Sequence, residues 1–204
     1  DAVRRIADDG RPRSVVVAGM GGSGISGDVL AAVCGSGCPV LVTTVRDYTL
    51  PGWVGPLDLV IAVSCSGSTE ETLSVAAEAV KRGCRVVGVG SAGSPLEQTV
   101  RSTTSGVFLA VDAGDLMPRA SLWLLATPLL VVATALEIAD VPTLVVLSTT
   151  GRAVRVDLPD GAEPPARATR RNRHDAIQST VLTTTRGELG AVTSRGRLVR
   201  SPCG

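Results

Sequence analysis

The sequence predicts an α/β fold in which helices flank a parallel β-sheet, followed by a small segment rich in β-hairpins. Three observations lead to this prediction. Over the first 110 residues, short β-branched runs alternate with longer amphipathic runs, as they do in repeated strand–helix units. The aromatic content is only 2%, so that Val, Leu, Ile and Ala must form the core. Beyond Pro142 the pattern changes to short β runs that are separated by Gly and Thr.

Five strands are predicted in the first part of the chain, because each is a short run of apolar, largely β-branched residues between turn residues. They cover residues 14–18, 39–44, 58–63, 84–89 and 106–111. The runs between them are long enough for helices, and strands that are joined through helices pair in parallel.

Four helices are predicted from the same alternation. They cover the residues from the glycine-rich turn to about Val33, and residues 69–82, 94–100 and 119–139. The helix at 69–82 starts with two Glu and ends with Lys81 and Arg82, which suits the helix dipole.

One apolar run must be compared with a membrane span. Residues 120–136 carry no charge over 17 positions, but the run is shorter than the roughly 20 residues of a span and contains Pro128. We therefore expect a buried helix and no membrane partner. The mixed charges of the first ten residues lack a signal-peptide pattern, and the five Cys are scattered, so a reducing cytoplasm is expected.

The charge distribution predicts two domains, residues 1–140 and residues 141–204. The whole chain has a net charge of +1, from 20 basic and 19 acidic residues. Residues 142–204, however, contain ten Arg, no Lys and five acidic residues, and carry a net charge of +5. This asymmetry indicates that the two parts have different roles.

Two polar turns follow predicted strands, at the positions where ligand sites form in parallel sheets. The first is GMGGSG at residues 19–24, whose glycines allow backbone amides to approach an anion at the start of a helix. The second is SCSGSTEET at residues 64–72, which offers several hydroxyl groups at the start of the next helix and suits a phosphate. A simple N-cap, with Ser or Thr followed by Glu as a capping box, is the structural alternative for the second turn.

Together with RDYTLP and MPRA, in this order along the chain, the two turns resemble the sugar isomerase (SIS) family, with the closest likeness to bifunctional phosphoglucose/phosphomannose isomerases. The resemblance covers about residues 14–138 and corresponds to the first of two SIS subdomains. It implies a three-layer SIS-type sheet and the isomerisation of glucose 6-phosphate or mannose 6-phosphate to fructose 6-phosphate. It also implies an intramolecular oxidoreductase that uses no cofactor. A metal site is not expected, because the five Cys contain no CxxC pair and the chain has a single His.

The resemblance further implies a set of site residues. Gly21, Gly22 and Ser23 would line the substrate cleft. Ser64, Ser66 and Thr69 would hold the sugar phosphate. Arg119 would face the reacting carbons, where a guanidinium can stabilise the negative charge of an enediolate. An Arg that merely caps the last helix is the structural alternative.

Part of the family's catalytic machinery has no counterpart here. In the family, a Glu base, a His that assists ring opening and a further Lys come from the second subdomain or from a neighbouring subunit. The single His of this chain, His174, lies in the C-terminal segment, where a surface position is the simpler interpretation. A homodimer is expected, because the apolar helix at 119–139 and a single subdomain both need a partner surface. A phosphosugar-binding module without catalysis is the alternative function.

The C-terminal segment contains an internal repeat. Residues 144–155 and 189–200 superpose at an offset of 45 residues, and each predicts a hairpin whose turn carries Gly151 or Gly196. Two unrelated hairpins of similar composition are the alternative. The segment resembles the β-pinwheel blades of the DNA gyrase and topoisomerase IV A subunits, and this resemblance implies contacts with nucleic-acid phosphates through Arg.

Overall fold

The computed structural model describes residues 2–35, 37–114, 121–139, 142–148, 153–157, 177–184, 188–192 and 198–202. The chain divides into two units, Asp1–Ala139 and Asp140–Gly204. A parallel sheet organises the first unit, and antiparallel pairs of strands organise the second.

The described part of the first unit alternates strands and helices. The strands are β1 (Ser14–Ala18), β2 (Leu41–Val45), β3 (Leu59–Ser64), β4 (Arg85–Gly90) and β5 (Val107–Ala110). The helices are α1 (Ala2–Asp8), α2 (Gly21–Cys34), α3 (Glu70–Lys81), α4 (Pro95–Arg101) and α5 (Leu122–Ala135). All five strands run parallel in the order β2-β1-β3-β4-β5, which confirms the predicted α/β class.

Two helix predictions need correction, and a third helix was not predicted. α1 was not predicted, because its seven residues with mixed charges give only about two turns of pattern. α2 begins at Gly21, so that most of the glycine-rich segment is the first turn of the helix and not a loop before it. α5 ends before the predicted Ala139, because Glu137 has a φ of 55° and a left-handed residue cannot continue the helix.

Alternate residues of the central strands face opposite layers of helices. Val15 and Val17 of β1 pack in one cluster with residues of α1, α2 and α5. Val16 and Ala18 pack in a second cluster with residues of α3 and α4. Every residue of β1 and β3 is buried, as expected for a parallel sheet that is covered on both faces. The first unit therefore has the predicted three layers.

An ion pair between the half-exposed Arg13 and the buried Asp58 joins the amino ends of β1 and β3. Arg13 donates two hydrogen bonds to the carboxylate of Asp58, at 3.0 and 2.5 Å, and the Ser14 hydroxyl and the Gly55 amide each donate one at 2.8 Å. Burial alone would raise the pKa of Asp58, but these hydrogen bonds and the charge of Arg13 outweigh it and lower that pKa. The pair stabilises the end of the sheet that lies opposite the two polar turns.

No helix among the described residues combines the length and the apolar character that a membrane span requires. The most apolar of them, α5, has 14 residues and is interrupted by Pro128. Five of its residues are buried in the first unit: Leu125, Ala126, Leu129, Val132 and Ala133. The apolar run at 120–136 therefore contributes to the core, as predicted.

The described part of the second unit consists of antiparallel strands. They are β6 (Pro142–Ser148), β7 (Ala153–Asp157), β8 (Ile177–Thr184), β9 (Glu188–Val192) and β10 (Leu198–Pro202). One sheet has the order β7-β6-β8, and the other consists of β10 and β9. Both predicted hairpins are confirmed, since β6 pairs with β7 and β9 with β10. Their turn glycines, Gly151 and Gly196, lie outside the described residues.

The two hairpins have the same register. Leu147 lies opposite Ala153 in the first hairpin, and Val192 lies opposite Leu198 in the second. Each residue of the second pair follows its counterpart by 45 positions, the offset that the sequence repeat gives. Unrelated hairpins have no reason to share both the loop length and the pairing, so the register favours a true repeat.

Candidate functional site

The two polar turns meet at the carboxyl edge of the parallel sheet. The first follows β1 and the second follows β3, and these strands are direct neighbours, with Ala18 opposite Ala62. β2 lies on the other side of β1, so the strand order changes direction between β1 and β3. Ligands of open α/β sheets bind at such a switch point.

Gly19 allows the two turns to come close together. A Cβ atom built on Gly19 would lie 3.0 Å from the carbonyl oxygen of Val63, near the end of β3, and 3.0 Å from the backbone carbon of Ser23. Both distances are tighter than most contacts that Cβ atoms make in proteins. A larger residue would therefore require the backbone to shift where the first turn passes the second.

The hydroxyl of Ser64 organises the second turn from inside. Ser64 is the last residue of β3 and only 1% exposed. Its Oγ accepts a hydrogen bond from the Gly67 amide at 3.0 Å and lies 2.8 Å from Oγ1 of Thr69. The predicted phosphate ligand Ser64 is thus bound to its own turn, whereas Ser66 and Ser68 are exposed and share a hydrogen bond of 3.0 Å.

Thr69 occupies the N-cap position of α3 but does not cap the helix with its side chain. Its hydroxyl is bonded to Ser64 instead. The capping-box interpretation of the second turn is therefore wrong. A reciprocal cap is found at α4, where Ser94 accepts from the Glu97 amide at 3.4 Å and the Glu97 carboxylate accepts from the Gly93 amide at 2.7 Å.

Residues before and at the start of α4 contact the second turn and hold it in place. Gly67 has a φ of 67°, and a Cβ atom built on it would lie 2.2 Å from the hydroxyl oxygen of Ser94. The Leu96 amide donates to the Gly67 carbonyl at 3.0 Å, and the Ser91 hydroxyl donates to the Cys65 carbonyl at 2.7 Å. These contacts therefore hold the second turn in place without a bound ligand.

The first polar turn leads directly into α2, and two of its amides share one carbonyl acceptor. The amides of Ser23 and Gly24 both donate to the carbonyl of Met20, at 3.0 and 3.3 Å. Gly21 has a φ of 50° and faces open space, since a Cβ atom built on it would meet nothing within 4 Å. Ser23 is buried at the base of the turn, with an exposed fraction of 9%. The predicted cleft residues thus range from the exposed Gly21 to the buried Ser23.

The loop after β2 adds two residues that the sequence analysis did not assign. Arg46 forms an ion pair with Asp28 of α2, and its Nε lies 2.7 Å from a Cβ atom built on Gly24. Tyr48 lies beside the start of α3, where the negative charge of Glu71, with smaller contributions from burial and Glu70, raises the pKa of its hydroxyl. Both residues belong to the RDYTLP motif, and this motif was the sequence feature that could have identified them.

Arg119 lies outside the described residues, and so does His174. The described chain resumes at Ser121, which is fully buried and whose hydroxyl donates to the Cys65 sulfur at 3.6 Å. The start of α5 therefore contacts the second turn. The role of Arg119 stays a prediction.

Curated proteins with similar sequences are bifunctional phosphoglucose/phosphomannose isomerases. The protein of Thermoplasma acidophilum is 40% identical over 117 residues, which cover 57% of this chain and 34% of that protein. The protein of Caldicellulosiruptor bescii is 37% identical over 116 residues, covering 57% and 33%. The chain thus spans about a third of the length of the curated relatives that it matches. No family model matches the chain.

Solved structures with similar folds include proteins that handle sugar phosphates. The Vibrio vulnificus NanR protein, complexed with ManNAc-6P, has a TM-score of 0.54 at 27% identity, over 67% of this chain and 54% of that chain. The tagatose-6-phosphate ketose/aldose isomerase of Escherichia coli has a TM-score of 0.51 at 17% identity, over 65% and 40%, and shows the fold alone. The first unit therefore has the fold of the sugar isomerase (SIS) domains. Its sequence matches about a third of the length of bifunctional phosphoglucose/phosphomannose isomerases.

Proposed function

We propose that the first unit binds a sugar phosphate at the carboxyl edge of its sheet, with the phosphate on the second turn and the sugar towards the first. The observation that carries the proposal is the bond between Ser64 and Thr69. Because the Thr69 hydroxyl is used there, no N-cap side chain covers the amides of the first turn of α3. Uncapped amides at a helix start are the usual partners of a phosphate.

The second turn would bind the phosphate with neutral groups. The exposed hydroxyls of Ser66 and Ser68 and the amides of α3 are hydrogen-bond donors, and the helix dipole adds positive potential. Glu70 and Glu71 in the first turn of α3 oppose an anion. The affinity therefore depends on close donors rather than on net charge.

Aldose–ketose isomerisation is the reaction that we propose for this site. A proton would move between C1 and C2 of the sugar through an enediolate, and Arg119 would stabilise the negative charge of that intermediate. The reaction also needs a base within hydrogen-bond reach. We assign no base among the described residues, and a homodimer would allow a second copy to supply it. Glucose 6-phosphate and mannose 6-phosphate are the proposed aldoses, as the names of the relatives suggest.

Calorimetric titration tests the binding step. Glucose 6-phosphate is expected to bind, whereas glucose without its phosphate is not. Ser66→Ala should weaken binding about tenfold to a hundredfold, as loss of one hydrogen bond to a charged group does. Ser105→Ala is the matched control, because Ser105 is also exposed but precedes β5 at the opposite edge of the sheet. Equal binding of glucose and its phosphate would refute the proposed site.

A coupled assay that detects fructose 6-phosphate tests catalysis separately. Turnover that is lost in Arg119→Lys, with binding retained, would support the isomerase. Binding without any turnover in the unmodified chain would support the alternative, a phosphosugar-binding module.

We also propose that the second unit contacts nucleic acid. The shared register places Arg155 of β7 and Arg200 of β10 at equivalent positions of the two hairpins, which supports a repeated phosphate contact. Binding of the full chain to duplex DNA should weaken steeply as salt is raised. Binding that is absent, or that does not depend on salt, would refute this role.

A further inference from the structure

The repeat in the second unit is incomplete at one edge. β6 and β9 are equivalent strands of the two hairpins, since they have the same register on β7 and β10. β6 carries a third strand, β8, on its other side, along seven antiparallel residue pairs from Pro142 opposite Thr184 to Ser148 opposite Ile177. Among the described residues, β9 carries no strand at the corresponding place.

Four strands of the second unit are edge strands among the described residues, namely β7, β8, β9 and β10. A sheet edge presents unpaired N–H and C=O groups, and proteins usually guard it with charges or proline. β7 (AVRVD) and β10 (LVRSP) carry such residues, Arg155 and Asp157 in the first and Arg200 and Pro202 in the second.

The other two edges lack this protection. β8 (IQSTVLTT) contains no charged residue and no proline. β9 (ELGAV) carries a charge at its first position alone, Glu188, and no proline. A hairpin of two strands is marginally stable by itself and gains from a third strand. The unguarded edges are therefore the ones suited to pairing.

We propose that the outer edge of β9 binds the outer edge of β8 of a second copy of this chain, in antiparallel pairing. Each copy offers one β8 edge and one β9 edge, so two copies can exchange both contacts around a twofold axis and close the assembly. β8 keeps its pairing with β6, because the new contact uses its opposite edge. The backbone supplies the hydrogen bonds of this contact, as in other cases of strand addition.

Hydrogen exchange of the full chain tests the contact at the strands themselves. At high protein concentration, the outward amides of residues 177–184 and 188–192 are expected to exchange about tenfold more slowly than after dilution. An excess of the peptide IQSTVLTT, which copies β8, should occupy β9, keep it protected and expose β8. Exchange that is independent of concentration, or that does not respond to the peptide, would overturn the proposal.

Two adjacent proline variants locate the edge on β9. Successive N–H groups of a strand point to opposite sides, so one of Gly190→Pro and Ala191→Pro removes a donor from the outer edge and the other removes one from the pairing with β10. The outer variant should retain the circular dichroism of the unmodified chain and bind the peptide about tenfold more weakly. Unchanged peptide affinity in both variants would contradict the proposal, and the exchange experiment decides the matter if neither variant folds.

Discussion

The hydroxyl groups of Ser64 and Thr69 lie 2.8 Å apart and connect the end of β3 to the start of α3. The bond explains why a residue at an N-cap position does not cap its helix. The bond uses the Thr69 hydroxyl, which sequence patterns assign either to a helix cap or to ligand binding. It also orders the turn between the two residues.

Thr69→Ala is expected to weaken the second turn. The change removes one partner of the buried Ser64 hydroxyl and should lower the free energy of unfolding by about 1 kcal/mol. The affinity for glucose 6-phosphate should fall as well, because the turn loses its order. Thr69→Ser keeps the hydroxyl and is the control. Urea denaturation and calorimetric titration measure the two effects, and an affinity that is unchanged in Thr69→Ala would show that the bond is unimportant for the ligand.

Gly67→Ala is expected to be far more harmful than Gly93→Ala. Both glycines have a positive φ, 67° and 73°, but a Cβ atom on Gly67 would collide with Ser94, whereas one on Gly93 would meet nothing within 4 Å. Gly93→Ala should cost about 1 to 2 kcal/mol of unfolding free energy from backbone strain. Gly67→Ala should cost about 1 to 3 kcal/mol more, from the collision. Thermal or chemical denaturation gives the comparison, and equal losses would contradict the described packing.

Asp58 is expected to make the first unit sensitive to acid. Its pKa is lower in the folded protein than in the unfolded chain, so its contribution is present above the unfolded pKa, about 4, and is lost as the pH falls through the folded pKa. Asp58→Asn should lower the free energy of unfolding by about 1.5 to 3 kcal/mol at neutral pH and flatten its decline in acid. Asp9→Asn, at an exposed position, is the control. Parallel acid profiles for Asp58→Asn and the unmodified protein would refute the assignment.

The ionisation of the Tyr48 hydroxyl can be followed by absorbance, because Tyr48 is the single tyrosine of the chain. Its hydroxyl should titrate above the ordinary value of about 10, since the carboxylate of Glu71 opposes a second negative charge. Glu71→Gln removes the largest cause and should bring the pKa of Tyr48 closer to that value. Glu78→Gln alters a carboxylate two turns further along α3 and is the control. A tyrosine titration that does not respond to Glu71→Gln would place the two side chains apart.

The sequence was sufficient for the features that depend on local pattern. Strands such as β1 and β3 are continuous apolar runs, and their order along the chain placed both turns at one edge of the sheet. The sequence did not predict the hydrogen bonds inside the second turn, because the burial of Ser64 depends on how the turn folds back on its strand. Likewise, the contact between Gly67 and Ser94 joins two segments that no local pattern connects.

The equal length and register of the two hairpins make them interchangeable modules. The paired part of the first hairpin, residues 143–157, spans as many positions as that of the second, residues 188–202, so a copy of the first can replace the second without changing the length of the chain or the spacing of the strands. A chain with two identical hairpins would differ from the natural one in side chains alone, and would therefore separate what the repeated backbone does from what each copy has acquired by divergence.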